Sequence, residues 1–110
     1  MTSQTAAIDA YRTLGHAAIS GTYAAVGSPF THLIRLFCIT NNTDGDMIFS
    51  LDGVNDMLFV AKNSFKLFDI STNKELSAPF YLPPCQFLVK QSTAATTGDV
   101  YVEAVYGKGE

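Results

Sequence analysis

Charged side chains are scarce in this chain of 110 residues: Asp, Glu, Lys and Arg make up 15% of it, against roughly 25% in an average soluble domain. A lone small domain relies on a charged surface to stay dispersed. Much of this surface is therefore expected to be uncharged Ser, Thr, Asn, Ala and Tyr, with part of it covered by partners. Basic clusters are missing as well. The formal net charge is −3, and Lys62, Lys66, Lys74, Lys90 and Lys108 are scattered. Phosphate recognition gathers Lys and Arg on one face, so a nucleic-acid partner is not expected.

No apolar run approaches the roughly 20 residues of a membrane helix, and the N-terminus lacks the basic flank and apolar core of a signal peptide. The expectation is a soluble protein made in a cytoplasm, with no membrane partner. Cysteine occurs twice, at Cys38 within an apolar stretch and at Cys85 after Pro83-Pro84. A Cys38–Cys85 disulfide is conceivable, and two buried or half-buried thiols are the expected state. Two cysteines with His16 and His32 give no zinc-site spacing. Neither histidine stands in the context of a Ser–His–Asp site, which needs a nucleophile on a strained turn beside a base and an oxyanion hole. No catalytic residue, cofactor site or metal site is assigned, and no enzymatic activity is expected.

What the chain does contain is strands. The stretch His32 to Val60 reads as three of them joined by two tight turns. Leu33 to Thr40 is apolar on both faces, with Ile34, Leu36 and Cys38 on one and Leu33, Phe37 and Ile39 on the other, which predicts a central strand. Asn41 to Gly45 reverses the chain. Met47, Phe49 and Leu51 then alternate with Ile48, Ser50 and Asp52; Asp52-Gly53 begins the next turn, and Met57 to Val60 returns. Further strands are expected at Ser64–Ile70, at Phe80–Leu82, at Gln86–Gln91 and at Val100–Tyr106, with turns at Lys62-Asn63 and Ser71–Lys74. Pro79 and Pro83 confine the Phe80–Leu82 strand to an edge.

Ahead of these lies a segment of different character. Residues 1–10 are small and polar, and the nineteen residues from Thr13 to Thr31 hold no Asp, Glu, Lys or Arg. Short extended pieces at Thr13–Ile19 and Thr22–Val26 have few large side chains for a core of their own. Residues 1–30 are therefore expected as an arm or edge strands lying across neighbouring subunits, with an irregular ribbon on its own domain as the alternative. Residues 31–107 are expected to form the body and 108–110 a short tail. About eight strands at a spacing of 8–12 residues, without a convincing helix, predict an all-β fold: an antiparallel β-sandwich or partly open barrel, jelly-roll or Ig-like. The core is expected from Ile34, Leu36, Phe49, Leu51, Phe59, Phe68, Phe87, Val89, Val102 and Val105.

Three side-chain groups invite a chemical reading. Asp44, Asp46, Asp52 and Asp56 gather near the two turns, but their spacing is not that of a calcium loop; Asx side chains bonding the local backbone are the ordinary explanation. Asn41-Asn42-Thr43 matches a glycosylation acceptor in a chain with no sign of secretion. Tyr11, Tyr23, Tyr81, Tyr101 and Tyr106 could line a sugar-binding face, yet strand alternation separates Tyr101 from Tyr106, which favours packing roles.

The segment Leu14 to Gly107 resembles a group of small structural proteins of tailed bacteriophages. The likeness is carried by LGHAAISGTYAAVGSPFTHLIRLFCITNNTDGDMIFSLDGVNDMLFV, by FDISTNK and by the ending TTGDVYVEAVYG; Cys85 departs from the Lys-Gly-type turn of the pattern. The resemblance implies a β-sandwich virion component, assembled in the host bacterial cytoplasm, that works by assembly and not by catalysis. Its partners would be copies of itself with the major capsid protein, or with portal and neck proteins. Decoration of the capsid is one location and a head–tail neck or tail ring the other. A host-surface or carbohydrate-binding module, presenting the turns Asn41–Gly45 and Ser92–Gly98, is the reading from a different class.

Overall fold

The computed structural model describes residues 5–70 and 82–108. It is all-β, with nine strands and no α-helix among those residues. The strands are β1 (Thr5–Ile8), β2 (Arg12–Gly15), β3 (Ala24–Ala25), β4 (Ile34–Thr43), β5 (Met47–Ser50), β6 (Leu58–Val60), β7 (Ser64–Asp69), β8 (Leu88–Gln91) and β9 (Gly98–Lys108), and a single 3-10 turn spans His16–Ala18. They form two sheets packed together. The first runs β1-β9-β4-β7, with β2 also on β9, and the second runs β3-β8-β5-β6. Every ladder is antiparallel.

β4 is the central strand expected of it, flanked by β9 and β7, but its faces differ from simple alternation. The register slips between Ile34, opposite Tyr106, and Leu36, opposite Val105. This bulge at Arg35 lets Ile34 and Phe37 both point inward, followed by Ile39, Asn41 and Thr43, all buried. One extra residue moves every later side chain to the other face. Leu36 and Cys38 are consequently turned outward and half-buried, so Leu36 is not the core residue expected. The strand also continues through Asn41 and Thr43 before the chain turns.

The core comprises Phe30, Ile34, Phe37, Ile39, Met47, Phe49, Val60, Phe87, Val89, Val100, Val102 and Ala104, with Ile19 and Val26. Ile34, Phe49, Phe87, Val89 and Val102 match the expectation. Leu51 and Phe68 are partly buried and pack against this cluster. Phe59 does not belong: it is 47% exposed, because Val60 is the inward residue of β6, opposite Met47. Val105 faces outward and is half-buried, the inward positions of β9 being Val100, Val102 and Ala104.

Residues 5–30 lie along the body as edge strands. β1 and β2 pair with β9, and β3 pairs with β8. Between Ile8 opposite Val105 and Arg12 opposite Val102, the chain takes four steps against three on β9, so β1 and β2 form one edge strand bent at a bulge. The poor bulk of this segment is offset by three anchors, Ile19, Val26 and Phe30, all buried in the core. Arg12 fastens the segment. Its Nε donates to Ser28 O at 2.8 Å and its Nη2 to Pro29 O at 3.0 Å, Nη1 donates to Ala10 O, and the guanidinium lies 4.1 Å from the Phe30 ring centre.

Gly53 takes φ 75° in the Asp52-Gly53 turn, as its sequence context predicts. Leu82 makes one antiparallel bridge to Ile34. Phe80, Tyr81 and the expected turn Ser71–Lys74 lie outside the described residues.

Candidate interaction surfaces

Strand register fixes which side chains share the outer face of the first sheet. Ile8 lies opposite Val105, and Val105 opposite Leu36. In the next row Glu103, Cys38 and Leu67 stand side by side, and in the next Thr13, Tyr101, Thr40 and Phe65. Tyr11 joins this row edge-on to Tyr101, ring centres 5.8 Å apart. Four of these residues are strongly exposed: Ile8 at 78%, Phe65 at 65%, Tyr11 at 61% and Leu67 at 57%. Taking about 200 Å² for a large side chain, they leave roughly 500 Å² uncovered, already the size of the largest patch on a typical monomer.

The outer face of the second sheet is built the same way. Ile48 lies opposite both Phe59 and Lys90. The Lys90 ammonium sits 4.9 Å from the Tyr23 ring centre and 2.9 Å from Asp56 Oδ1, which also accepts the Tyr23 hydroxyl at 2.5 Å. These contacts hold the Asp56 carboxyl below its usual range, the Tyr23 hydrogen bond foremost, while burial and Asp56 push the Tyr23 phenol up to about 12. Beside this cluster a recess of about 140 Å³ is lined by Ile48, Asp56, Met57, Leu58 and Phe59. Val54, Met57 and Phe59 are exposed at 80%, 45% and 47%.

The other residues singled out from the sequence are used locally. Asp44 accepts from Thr96 N at 2.7 Å, Thr96 Oγ1 at 2.5 Å and Thr97 N at 3.2 Å, and these bonds, that of the Thr96 hydroxyl first, lower its carboxyl to about 2. The two turns Asn41–Gly45 and Ser92–Gly98 are thereby tied to each other. Asp46 accepts from Lys62 N. Asp52 closes its own turn, accepting from Ser50 Oγ, Val54 N, Asn55 N and Asn55 Nδ2, which depresses its carboxyl strongly, the Asn55 backbone bond first. Among the described residues no three His, Cys, Asp or Glu side chains come together as metal ligands would.

Asn41, the expected turn residue and acceptor-motif position, is fully buried. Its Nδ2 donates to Gly45 O and Val60 O, and its Oδ1 accepts from Thr43 N and Thr43 Oγ1. His16 Nδ1 lies 3.1 Å from Gly98 O, and His32 stacks on Tyr106 with ring centres 3.8 Å apart. The tyrosines are thus divided: Tyr11 with Tyr101 on the first face, Tyr23 on the second, Tyr106 against His32. Tyr81 lies outside the described residues. Both cysteines are free and half-buried, and burial raises the Cys85 thiol to about 11.

The choice of Phe68 for the core puts Phe65 and Leu67 on the outward side of Ser64–Ile70, but sequence reasoning did not single them out as surface residues. Comparison with family models, with curated proteins and with solved structures returns no match.

Proposed function

We propose that this chain is a non-enzymatic structural protein of a tailed-bacteriophage virion, present in many copies on the capsid as a decoration or cement protein. The observation that carries the reading is the strand order. Counted with β1 and β2 as one bent strand, the sheets follow the positions 1-8-3-6 and 2-7-4-5. That order is generated by two nested Greek keys, the jelly-roll winding used by viral capsid domains and also by lectins and cupins. A fold does not carry a function by itself. The virion reading is supported over a lectin by the surface: the tyrosines are dispersed instead of forming one sugar platform, and two outer faces carry exposed apolar residues. The resemblance of the sequence to small phage structural proteins points the same way.

The test is quantitative mass spectrometry of purified particles made from the genome that carries this sequence. A copy number on the order of hundreds, following capsid symmetry, is the expected result. About a dozen copies would move the protein to a neck or tail ring of the same virion. Its absence from the particles would overturn the proposal.

A further inference from the structure

Among the described residues, the seven large apolar side chains left exposed fall into two groups: Ile8, Tyr11, Phe65 and Leu67 on the outer face of the first sheet, and Val54, Met57 and Phe59 on or beside the outer face of the second. We propose that copies of this chain dock head to tail, the first-sheet face of one copy seating against the second-sheet face of the next. The contact rests on these two faces alone and not on the assignment to a virion.

Three features point to a second copy in this arrangement. The first is shape. Phe65 and Leu67 project from edge strand β7, whereas the second face is indented beside Phe59 by a recess of about 140 Å³ with four apolar lining residues. The recess is open on one side, and its volume is enough for one such side chain. The second is charge. Glu103 stands in the middle of the first face, whereas on the second Lys90 is paired with Asp56 at 2.9 Å. Two first faces brought together would oppose carboxylate to carboxylate, whereas first against second sets Glu103 against a neutralised pair.

The third feature concerns the alternative of edge pairing. Among the described residues β7 is a six-residue edge, the usual template for adding a strand from another chain. Lys66 occupies the side of β7 shared with Phe68, opposite to Phe65 and Leu67. A β7–β7 pairing that joined Phe65 to Leu67 of the other copy would set Lys66 against Lys66, the like-charge device by which natural edges resist addition. The apolar side chains of β7 are therefore available to a partner lying on the face and not to one extending the sheet. The uncovered area, roughly 500 Å² on one face and roughly 300 Å² on the other, places the contact at the weak end of specific interfaces. Unlike faces on opposite layers also propagate: the contact leads to a chain of copies, or to a ring if the rotation closes.

The experiment uses two variants, Leu67→Glu to disable the first face and Phe59→Glu to disable the second, each checked for a native thermal transition. Tyr11→Glu and Val54→Glu replace either one that does not fold. Sedimentation velocity is run at about 100 µM, where a weak contact is populated. The wild-type chain is expected to form species larger than a dimer, each variant alone to be monomeric, and an equimolar mixture to yield 1:1 dimers through the one intact pair of faces. A wild-type chain monomeric at this concentration would overturn the proposal. So would either variant dimerising by itself, or a mixture that stays monomeric, because both results are incompatible with a head-to-tail contact.

Discussion

Asn41 shows what a single buried polar residue does here. Both amide protons and the amide oxygen are used, joining β4 to Gly45 in the turn and to Val60 on β6 of the other sheet. Replacing it with Leu would fit the apolar core in volume yet take the Asn41 side chain away from Val60 O and Thr43 N, while Gly45 O keeps the Thr43 hydroxyl. A buried group left unsatisfied costs about 1–3 kcal/mol, so Asn41→Leu should lose at least about 2 kcal/mol in urea denaturation, and an unchanged midpoint would contradict this role. Asp44 gives a pH signature. Its folded carboxyl, near 2, lies below the ordinary 3.8, so its contribution is present above the unfolded value and is lost as pH falls through the folded one. The melting temperature of Asp44→Asn should lie below that of the parent near pH 6, approach it below about pH 4 and meet it near pH 2. A gap independent of pH would show that the carboxylate charge is not what ties the two loops. The Asx character of these turns was legible in the sequence. The burial of Asn41 was not, because Asn-Asn-Thr-Asp-Gly reads as a turn until the register of β4 is known.

Among the elements, the N-terminal segment and β9 show how much structure rests on a few backbone demands. Gly98 takes φ 91°, and a Cβ there would lie 1.9 Å from Asn42 O; at Gly53, φ 75°, it would meet only a Leu88 methyl at 3.2 Å. Gly98→Ala should therefore destabilise by several kcal/mol, well beyond the roughly 1 kcal/mol of Gly53→Ala. Equal losses in calorimetry would contradict the close approach of β9 to β4 at Gly98. Arg12→Lys keeps the charge and discards the fork that grips Ser28 O and Pro29 O. A loss of about 2 kcal/mol is expected, and one under about 0.5 kcal/mol would remove Arg12 as the fastener of residues 5–30. Nearly every strand of the body was legible from apolar periodicity and turn residues. Two bulges were not, since nothing in Ile34-Arg35-Leu36 or in Ile8 to Arg12 announces an extra residue. Those bulges decide the outward face: they turn Leu36 out and place Ile8 and Tyr11 together over β9. The N-terminal segment, expected as an arm or edge strands, pairs as edge strands with β9 and β8. Its composition is too light for a core on average, but Ile19, Val26 and Phe30 are enough when a finished sheet is there to receive them.

At the scale of the whole molecule, low charge and exposed apolar surface are one property. The interior is filled by the inward rows of both sheets, and among the described residues the seven exposed large apolar side chains stand in two outward groups. Such faces are a liability in an isolated chain and a contact surface in an assembly. From the scarcity of charge the sequence led to an expectation of cover over residues 1–30; Ile8 and Tyr11 of that segment are exposed, together with Phe65 and Leu67 from β7 and Val54, Met57 and Phe59 on the other side. The most direct measurement is oxidative footprinting of Tyr11, Met57, Phe59 and Phe65, in the isolated protein at low concentration and in purified particles. The account predicts that all four react readily in the free protein and that residues of both faces become protected together in the particle. Equal reactivity in the two states would contradict it.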